Sequence, residues 1–184
     1  MIWKDYSYLS GKHAFLSPSK YHWLNYDPAK LVMTYNNYKK VSLGTKYHVL
    51  AADLIRLAVR LPNTAASFNC FVNDAIGFKM SPEKMLFYSH NCYGTADAIS
   101  FHNDVLRIHD LKTGMSPGSM NQLLIYAGLF CLDYDVEPSQ IHLRIYQHDE
   151  VTQFEPSMPD VMDVMSTIIE SDKIIDRLAT DNLL

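Results

Sequence analysis

The segment that most constrains the fold of this chain reads as two neighbouring β-strands joined by a polar turn. Residues 94–101 and 105–112 have strand character, and residues 102–104 have the chemistry of a tight hairpin turn. The first strand contains Asp97 and the second contains Asp110. The pattern therefore predicts a sheet in which adjacent strands each deliver a carboxylate to one region.

Asp110 ends an otherwise apolar alternation formed with Leu106 and Ile108. An acid at an inward, apolar position is a conflict between pattern and packing, and such conflicts tend to mark functional sites. Lys112 follows two residues later and projects from the same face of the strand. Carboxylates that hold a hard cation beside a lysine that handles water or phosphate charge are typical of a metal-dependent phosphodiesterase.

Each of these residues also has a structural interpretation. Asp97 lies inside a strand, where a buried carboxylate needs a cation or several hydrogen bonds, but it can also be a turn-capping or salt-bridged aspartate. Lys112 can simply neutralise Asp110. Leu111, between them, offers its backbone carbonyl as a further oxygen ligand for an ion of the size of magnesium.

Two further elements carry candidate residues. Gln122 and Tyr126 are four residues apart on one helix and can point at the same region, although alone they equally fit a surface glutamine and a core tyrosine. His48 lies at the head of a helix predicted after Gly44, and a lone histidine is more often structural than functional. His109 is expected to face away from Asp110.

The composition predicts one globular unit. The chain has 184 residues, of which 48% are hydrophobic and 20% charged, enough for a single domain with a substantial core. It lacks a transmembrane run or a secretory signal, so we expect a cytoplasmic protein with no membrane association. Its three cysteines are too few for the four ligands of an iron–sulfur cluster, so no such cluster is expected.

The charge is unevenly distributed. Residues 1–60 contain nine Lys and Arg against three Asp, a net charge of +6, so residues 61–184 carry −10 of the total of −4. The basic N-terminal third is therefore the expected phosphate-facing side. A solvated basic helix surface fits each single lysine equally well.

Periodicity and turn signals predict an α/β fold with a small mixed central β-sheet flanked by helices. A single domain over residues 1–184 would have an N-terminal helical part at about 1–80, a sheet and catalytic core at about 84–155 and a C-terminal helix at about 159–180. The predicted helices are 27–40, 44–60, 62–76, 117–132 and 159–178, and the predicted strands are 85–89, 94–101, 105–112, 141–147 and 151–154.

Taken together, these motifs resemble those of the PD-(D/E)xK nuclease superfamily, specifically its RecB-like exonuclease branch. That branch includes CRISPR-associated and many phage exonucleases. The branch pattern combines a helical histidine in G-x-x-x-H, a GxxD strand, a D-x-K strand and a Q-x-x-x-Y helix. The matching residues here are His48, Gly94 with Asp97, Asp110 with Lys112, and Gln122 with Tyr126. The resemblance spans about residues 15–150 and is closest to stand-alone phage members without an iron–sulfur cluster.

The resemblance implies a restriction-endonuclease-like core and a DNA exonuclease that uses one or two Mg²⁺ or Mn²⁺ ions. It implies His48, Asp97, Asp110 and the Leu111 carbonyl as metal ligands, and Asp97, Asp110 and Lys112 as catalytic residues. Gln122 and Tyr126 would then contact the substrate.

The implied setting is DNA recombination, repair or degradation in a phage or bacterium. There the protein would act as a homo-oligomer or with a recombination or replication partner. A nuclease-like DNA-binding or docking module without catalysis, and an endonuclease, remain the alternatives.

Overall fold

The computed structural model describes residues 25–181, with side chains for residues 25–38 and 44–177. The chain divides into two compact units, Met1–Leu43 and Gly44–Leu184, and the second contains the whole sheet. The elements in chain order are α1 (Pro28–Arg56), α2 (Ser67–Gly77), β1 (Ser81–Ser89), β2 (Cys92–His102), β3 (Val105–Leu111), α3 (Met120–Tyr134), β4 (Gln140–Gln147), β5 (Glu150–Phe154) and α4 (Met158–Asp181).

The predicted fold class is confirmed. The five strands form one mixed sheet in the order β1-β2-β3-β4-β5. All neighbours are antiparallel except β3 and β4, which are parallel. A parallel pair needs a long crossover connection, and α3 supplies it.

The helix α1 differs from its prediction. We expected one helix to end near Lys40 and another to begin after Gly44, but α1 is continuous from Pro28 to Arg56. Pro28 does begin the helix, and Asp27 caps it by accepting a hydrogen bond from the Lys30 N–H at 2.8 Å.

The glycine in α1 serves packing rather than a turn. A Cβ on Gly44 would lie 2.8 Å from Thr113 Oγ1, so the residue is small because the helix approaches the end of β3 closely. His48 consequently lies inside a helix and not at its head, which corrects the sequence-based expectation.

The basic N-terminal third is described only in part. Lys4, Lys12 and Lys20 lie outside the described residues, and the side chains of Lys39 and Lys40 are also outside the described set. Within the second unit, Lys46 is exposed on α1 and Arg56 pairs with Asp53 at 3.0 Å. The predicted phosphate-facing role of this region stays a prediction.

The sheet has an apolar cluster on each face. The cluster on the α3 and α4 side takes alternate residues of the central strands, among them Leu106 and Ile108 of β3 and Leu143 of β4. The cluster on the other side joins α2 and the C-terminal half of α1 to Leu111 and Tyr146. Side chains at successive positions of a strand thus pack alternately into the cluster on one face of the sheet and the cluster on the other.

The alternation of β2 is interrupted at Asp97. Ala96 and Ile99 are three residues apart, yet both pack into the α3-side cluster, whereas Ala98 packs into the α2-side cluster. The neighbouring strand has a matching irregularity, because Glu83 of β1 adopts a left-handed backbone with φ of +51°. At this break the Asp97 side chain is directed at α1, which packs on the face of the sheet opposite to α3.

A polar network lies on the α2 side of β3 and β4. The Tyr146 hydroxyl donates to Asp74 Oδ2 at 2.7 Å, and Arg144 Nη1 donates to the same oxygen at 3.0 Å. His109 Nδ1 lies 3.1 Å from the Tyr146 oxygen. Because the Tyr146 hydrogen is already committed to Asp74, Nδ1 of His109 carries the proton and donates it to Tyr146.

His109 is buried, facing away from Asp110 as predicted. Burial, assisted by the nearby charges of Arg144 and Arg107, lowers the pKa of His109 to about 3. The histidine is therefore neutral in the fold at neutral pH but takes up a proton near pH 6.5 in the unfolded chain.

A folded-state pKa below the unfolded value gives stability that is complete above pH 6.5 and is lost as the pH falls towards 3. We expect the free energy of unfolding to decrease by about 2 kcal/mol between pH 7 and pH 5 because of His109. Urea unfolding at both pH values should show this loss in the native protein and not in His109→Gln. The exposed histidine variant His148→Gln is the control, and an unchanged pH dependence in His109→Gln would contradict the assignment.

Candidate active site

The candidate site is built where the β2–β3 ladder ends. The last described pair of this ladder is Ala98 with His109. Beyond it, the N–H of Leu111 donates to Asp97 Oδ2 at 2.8 Å instead of to a backbone carbonyl of β2. On its other edge β3 continues, because the Lys112 N–H donates to the Tyr146 carbonyl at 3.0 Å. Asp97 thus takes the place of a backbone acceptor for the Leu111 N–H at the point where the ladder ends.

The second carboxylate oxygen of Asp97 meets α1. Its Oδ1 lies 3.2 Å from His48 Nδ1, and the two side chains are 15% and 28% exposed. The hydrogen bond to Asp97 raises the pKa of His48, against the opposing effect of burial. An imidazole and a carboxylate from two elements therefore come together, and their role as metal ligands, which the resemblance implies, stays a prediction.

A third member of this group escaped the sequence analysis. Glu83 of β1 lies opposite Asp97, between the register pairs of Pro82 with Ala98 and Lys84 with Ala96. Ligand atoms of His48, Glu83 and Asp97 all lie within 4.8 Å of one another. Burial, followed by the charge of Asp97, raises the pKa of Glu83.

One signal in the sequence could have found Glu83. It is the one carboxylate of β1, and it lies seven residues before His90 while Asp97 lies seven residues after it. Segments that fold back about a common turn place equidistant residues opposite each other. That reasoning requires the turn to be centred correctly, which the residues between β1 and β2 do not specify by themselves.

Asp110 and Lys112 form a second group on the α3 side. Lys112 Nζ lies 3.1 Å from Asp110 Oδ1, 3.0 Å from Oδ2 and 2.8 Å from Gln122 Oε1. Gln122 Nε2 in turn donates to Asp110 Oδ1 at 3.3 Å. The amide of Gln122 thus bridges the ammonium and the carboxylate, with its oxygen toward the donor and its nitrogen toward the acceptor.

The burial of Asp110 agrees with its inward position in the sequence pattern, because the residue is only 3% exposed. Burial and then the nearby charge of Asp97 raise the pKa of Asp110, while Lys112 opposes the rise. Only Oδ1 receives a hydrogen bond from the described residues, although Nζ is also close to Oδ2. Both oxygens of this buried carboxylate therefore lie about 3 Å from the ammonium that neutralises it.

The two groups are adjacent but distinct. Asp97 binds the N–H of Leu111, the residue directly after Asp110, so the two carboxylates flank one peptide bond. Among the described residues, however, the compact group of ligand atoms contains Glu83 and not Asp110. The physical reason is the break in β2, which directs Asp97 towards His48 while Asp110 stays with α3. The Leu111 side chain is buried, and a ligand role for its carbonyl stays a prediction.

Tyr126 of α3 contacts β2 near Asp97. Its hydroxyl donates to the Thr95 carbonyl at 2.7 Å, and burial raises its pKa. The hydroxyl is thus engaged with β2, two residues from Asp97, and the predicted contact of Tyr126 with substrate stays a prediction. The motif glycine Gly94 provides the space, because a Cβ there would lie 2.9 Å from Tyr126 Cε1.

The donor set of the compact group suits a divalent cation. Carboxylate oxygens favour Mg²⁺, Ca²⁺ and Mn²⁺, and an imidazole extends the range towards Mn²⁺ and later transition metals. His48, Glu83 and Asp97 therefore fit the ions that the resemblance implies.

Comparison with models of known families, with curated proteins and with solved structures gives no match at a significant level. The similarity to the PD-(D/E)xK nucleases therefore rests on the motifs alone and stays a prediction. In the part of the chain that the structure describes, no helix is both long and apolar enough to span a membrane.

The contact between Gly94 and Tyr126 can be tested by a single methyl group. We expect Gly94→Ala to destabilise the protein by about 1–3 kcal/mol, because the added Cβ forces the Tyr126 ring from its position. Thermal denaturation should record a decrease of about 3–10 °C. Gly114→Ala is the matched control, since a Cβ there meets no atom within 4 Å. Equal melting temperatures for the two variants would contradict this account.

Proposed function

We propose that this protein is a metal-dependent DNA exonuclease that hydrolyses phosphodiester bonds. The observation that carries the proposal is the convergence of His48, Glu83 and Asp97 within 4.8 Å, directly beside a buried carboxylate paired with Lys112. A group of cation ligands next to a fixed ammonium is suited to an anionic phosphate substrate. The preference for DNA and for strand ends comes from the sequence resemblance.

The residues that would hold the ion are His48, Glu83 and Asp97. A divalent ion bound there supplies charge neutralisation at the phosphate and activation of the attacking water. His48 would have to be neutral to act as a ligand, with the lone pair of one ring nitrogen directed at the ion. Asp97 is kept in place by the Leu111 N–H, which leaves its other oxygen directed at His48.

Lys112 is the proposed catalytic cation. Two acceptors, Asp110 and Gln122, hold its Nζ at about 3 Å from each. The ammonium is therefore already in position before the reaction begins. It orients the water that attacks phosphorus and stabilises the charge that develops on the phosphate. Gln122 positions Lys112, and Asp110 is the counter-ion of Lys112 and, as the resemblance implies, would be a further ligand of the ion.

Substitutions should separate metal binding from catalysis. We expect Glu83→Gln and Asp97→Asn each to weaken Mn²⁺ binding at least tenfold in isothermal titration calorimetry, because each removes a charged ligand. Lys112→Ala should bind Mn²⁺ as the native protein does, yet lose more than 99% of the cleavage of a labelled oligonucleotide. Asp110→Ala should also abolish cleavage while the protein stays folded.

The exposed carboxylate of Asp163 provides a matched control, because Asp163→Asn removes a charge from α4 without touching the site. That variant should bind Mn²⁺ and cleave DNA normally. Native turnover in Lys112→Ala or Asp110→Ala would rule out the catalytic assignment. A native protein that binds oligonucleotides but never cleaves them with Mg²⁺ or Mn²⁺ would favour the non-catalytic binding module.

The topology of the substrate distinguishes exonuclease from endonuclease. We expect linear DNA to be degraded and a covalently closed circle of the same sequence to survive, because an enzyme that requires ends finds none on the circle. Gel analysis of both substrates after equal incubation with Mn²⁺ measures this. Nicking or linearisation of the circle would establish endonuclease action instead.

A further inference from the structure

An aromatic pair lies exposed on the sheet close to the candidate site. Phe87 of β1 and Tyr93 of β2 are register partners, and their rings stack with centroids 6.1 Å apart and planes inclined by 26°. Phe87 is 40% exposed and Tyr93 is 59% exposed. His90, in the intervening turn, packs edge-on against Phe87 at 5.5 Å. We refer to Phe87 and Tyr93 as the aromatic platform.

The fold forces these rings outward. Leu86 is fully buried in the α3-side cluster, and Gly94 faces the Tyr126 ring on that same side. Phe87 and Tyr93, one residue along each strand, must therefore point to the opposite face. The edge of β1 is also fixed, because the Phe87 N–H donates to Asp133 Oδ2 of α3 at 3.2 Å.

The aromatic platform is in line with the candidate metal ligands. Between the two, the register pairs Met85 with Thr95 on the same face, and Met85 is 57% exposed. The next position along is Glu83 opposite Asp97. Four residues of strand separate Phe87 from Glu83, a distance of about 13 Å. One open face thus leads from two stacked rings, across Met85, to the ion ligands.

This arrangement of aromatic rings and candidate metal ligands is complementary to a single-stranded nucleic acid. Flat apolar rings accept the faces of unpaired bases, and base–aromatic stacking is tolerant of sequence. Along its length a duplex keeps its base faces stacked on each other, so only its terminal pair has a face to offer to the protein, whereas an unpaired strand offers the faces of successive bases. An unpaired strand carries both flat apolar bases and phosphates. With its bases on the aromatic platform, a phosphate a few nucleotides away reaches Glu83, Asp97 and His48.

We propose that Phe87 and Tyr93 stack the bases of a single-stranded DNA end and guide its scissile phosphate to the candidate site. The inference rests on the proposed nuclease function and adds to it the strand state of the substrate and the surface that binds it. The rings bind the strand and take no part in the hydrolysis itself.

The first experiment measures binding without cleavage. Fluorescence anisotropy of a labelled single-stranded oligonucleotide in Ca²⁺ should show Phe87→Ala and Tyr93→Ala each weakening binding about fivefold to a hundredfold. Phe87→Tyr and Tyr93→Phe keep an aromatic ring and should bind normally. Tyr134→Ala is the matched control, because it removes a 47% exposed tyrosine from α3. Mn²⁺ affinity should be unchanged in all five variants.

The second experiment removes the base instead of the ring. Oligonucleotides with one abasic site at successive positions from the end should lose affinity for the native protein at one or two positions. The double variant Phe87→Ala/Tyr93→Ala should be insensitive to the abasic site at those positions. Such coupling is expected of direct stacking and not of a general change in the surface.

The outcomes separate this inference from the proposed function. If the alanine variants bind the oligonucleotide as the native protein does, or only change its oligomeric state in light scattering, the aromatic platform is not a base-binding surface. If the native protein binds through the rings but never cleaves, the inference stands and the hydrolytic function fails. If the native protein neither binds nor cleaves any oligonucleotide, both are overturned.

Discussion

The hydrogen bond from the Leu111 N–H to Asp97 is the interaction on which the candidate site depends. The carboxylate of Asp97 takes the place of a backbone acceptor for this N–H, beyond the last register pair of β2 and β3. The ladder ends there without leaving the N–H unpaired, which would be costly in the interior. The same bond fixes the carboxylate of Asp97 and leaves one of its oxygens for His48.

Burying the charge of Asp110 beside this hydrogen bond has a cost that the neighbouring groups offset. Asp110 is nearly inaccessible, and removing its charge from water is unfavourable unless it is paired and hydrogen-bonded. Lys112 and Gln122 supply that pairing. The arrangement is a weak source of stability but a strong source of order, since the three side chains constrain one another to a single geometry. Such order is what the proposed catalytic role of Lys112 would require.

The sequence was informative where a residue violates its local pattern. Asp110 interrupts an apolar alternation, and its burial follows directly from that position. His48 and Asp97 could be expected to meet only through the motif resemblance, because α1 and β2 are far apart in the chain. Glu83 could not be found without the register of β1 and β2. The break in alternation at Asp97 lies opposite the left-handed backbone of Glu83, which nothing in the residue type indicates.

Gly44 shows a different limit of prediction. Glycine ends helices often enough that a boundary was a sound expectation, but here the lack of a side chain serves close packing against Thr113. Local propensity cannot distinguish these two uses, because the deciding neighbour lies about seventy residues away. Tertiary proximity, not the chain near Gly44, determined the outcome.

The two halves of the site are mounted on helices from opposite layers, His48 on α1 and Gln122 on α3. The sheet therefore lies between the two helices, and the position of each side chain depends on how closely its helix packs against the sheet. Ala51 on α1 and Ala127 on α3 are buried and allow this close packing. A bulkier residue at either place would press its helix away from the sheet and shift His48 or Gln122 with it, so the geometry of the site depends on two methyl groups outside it.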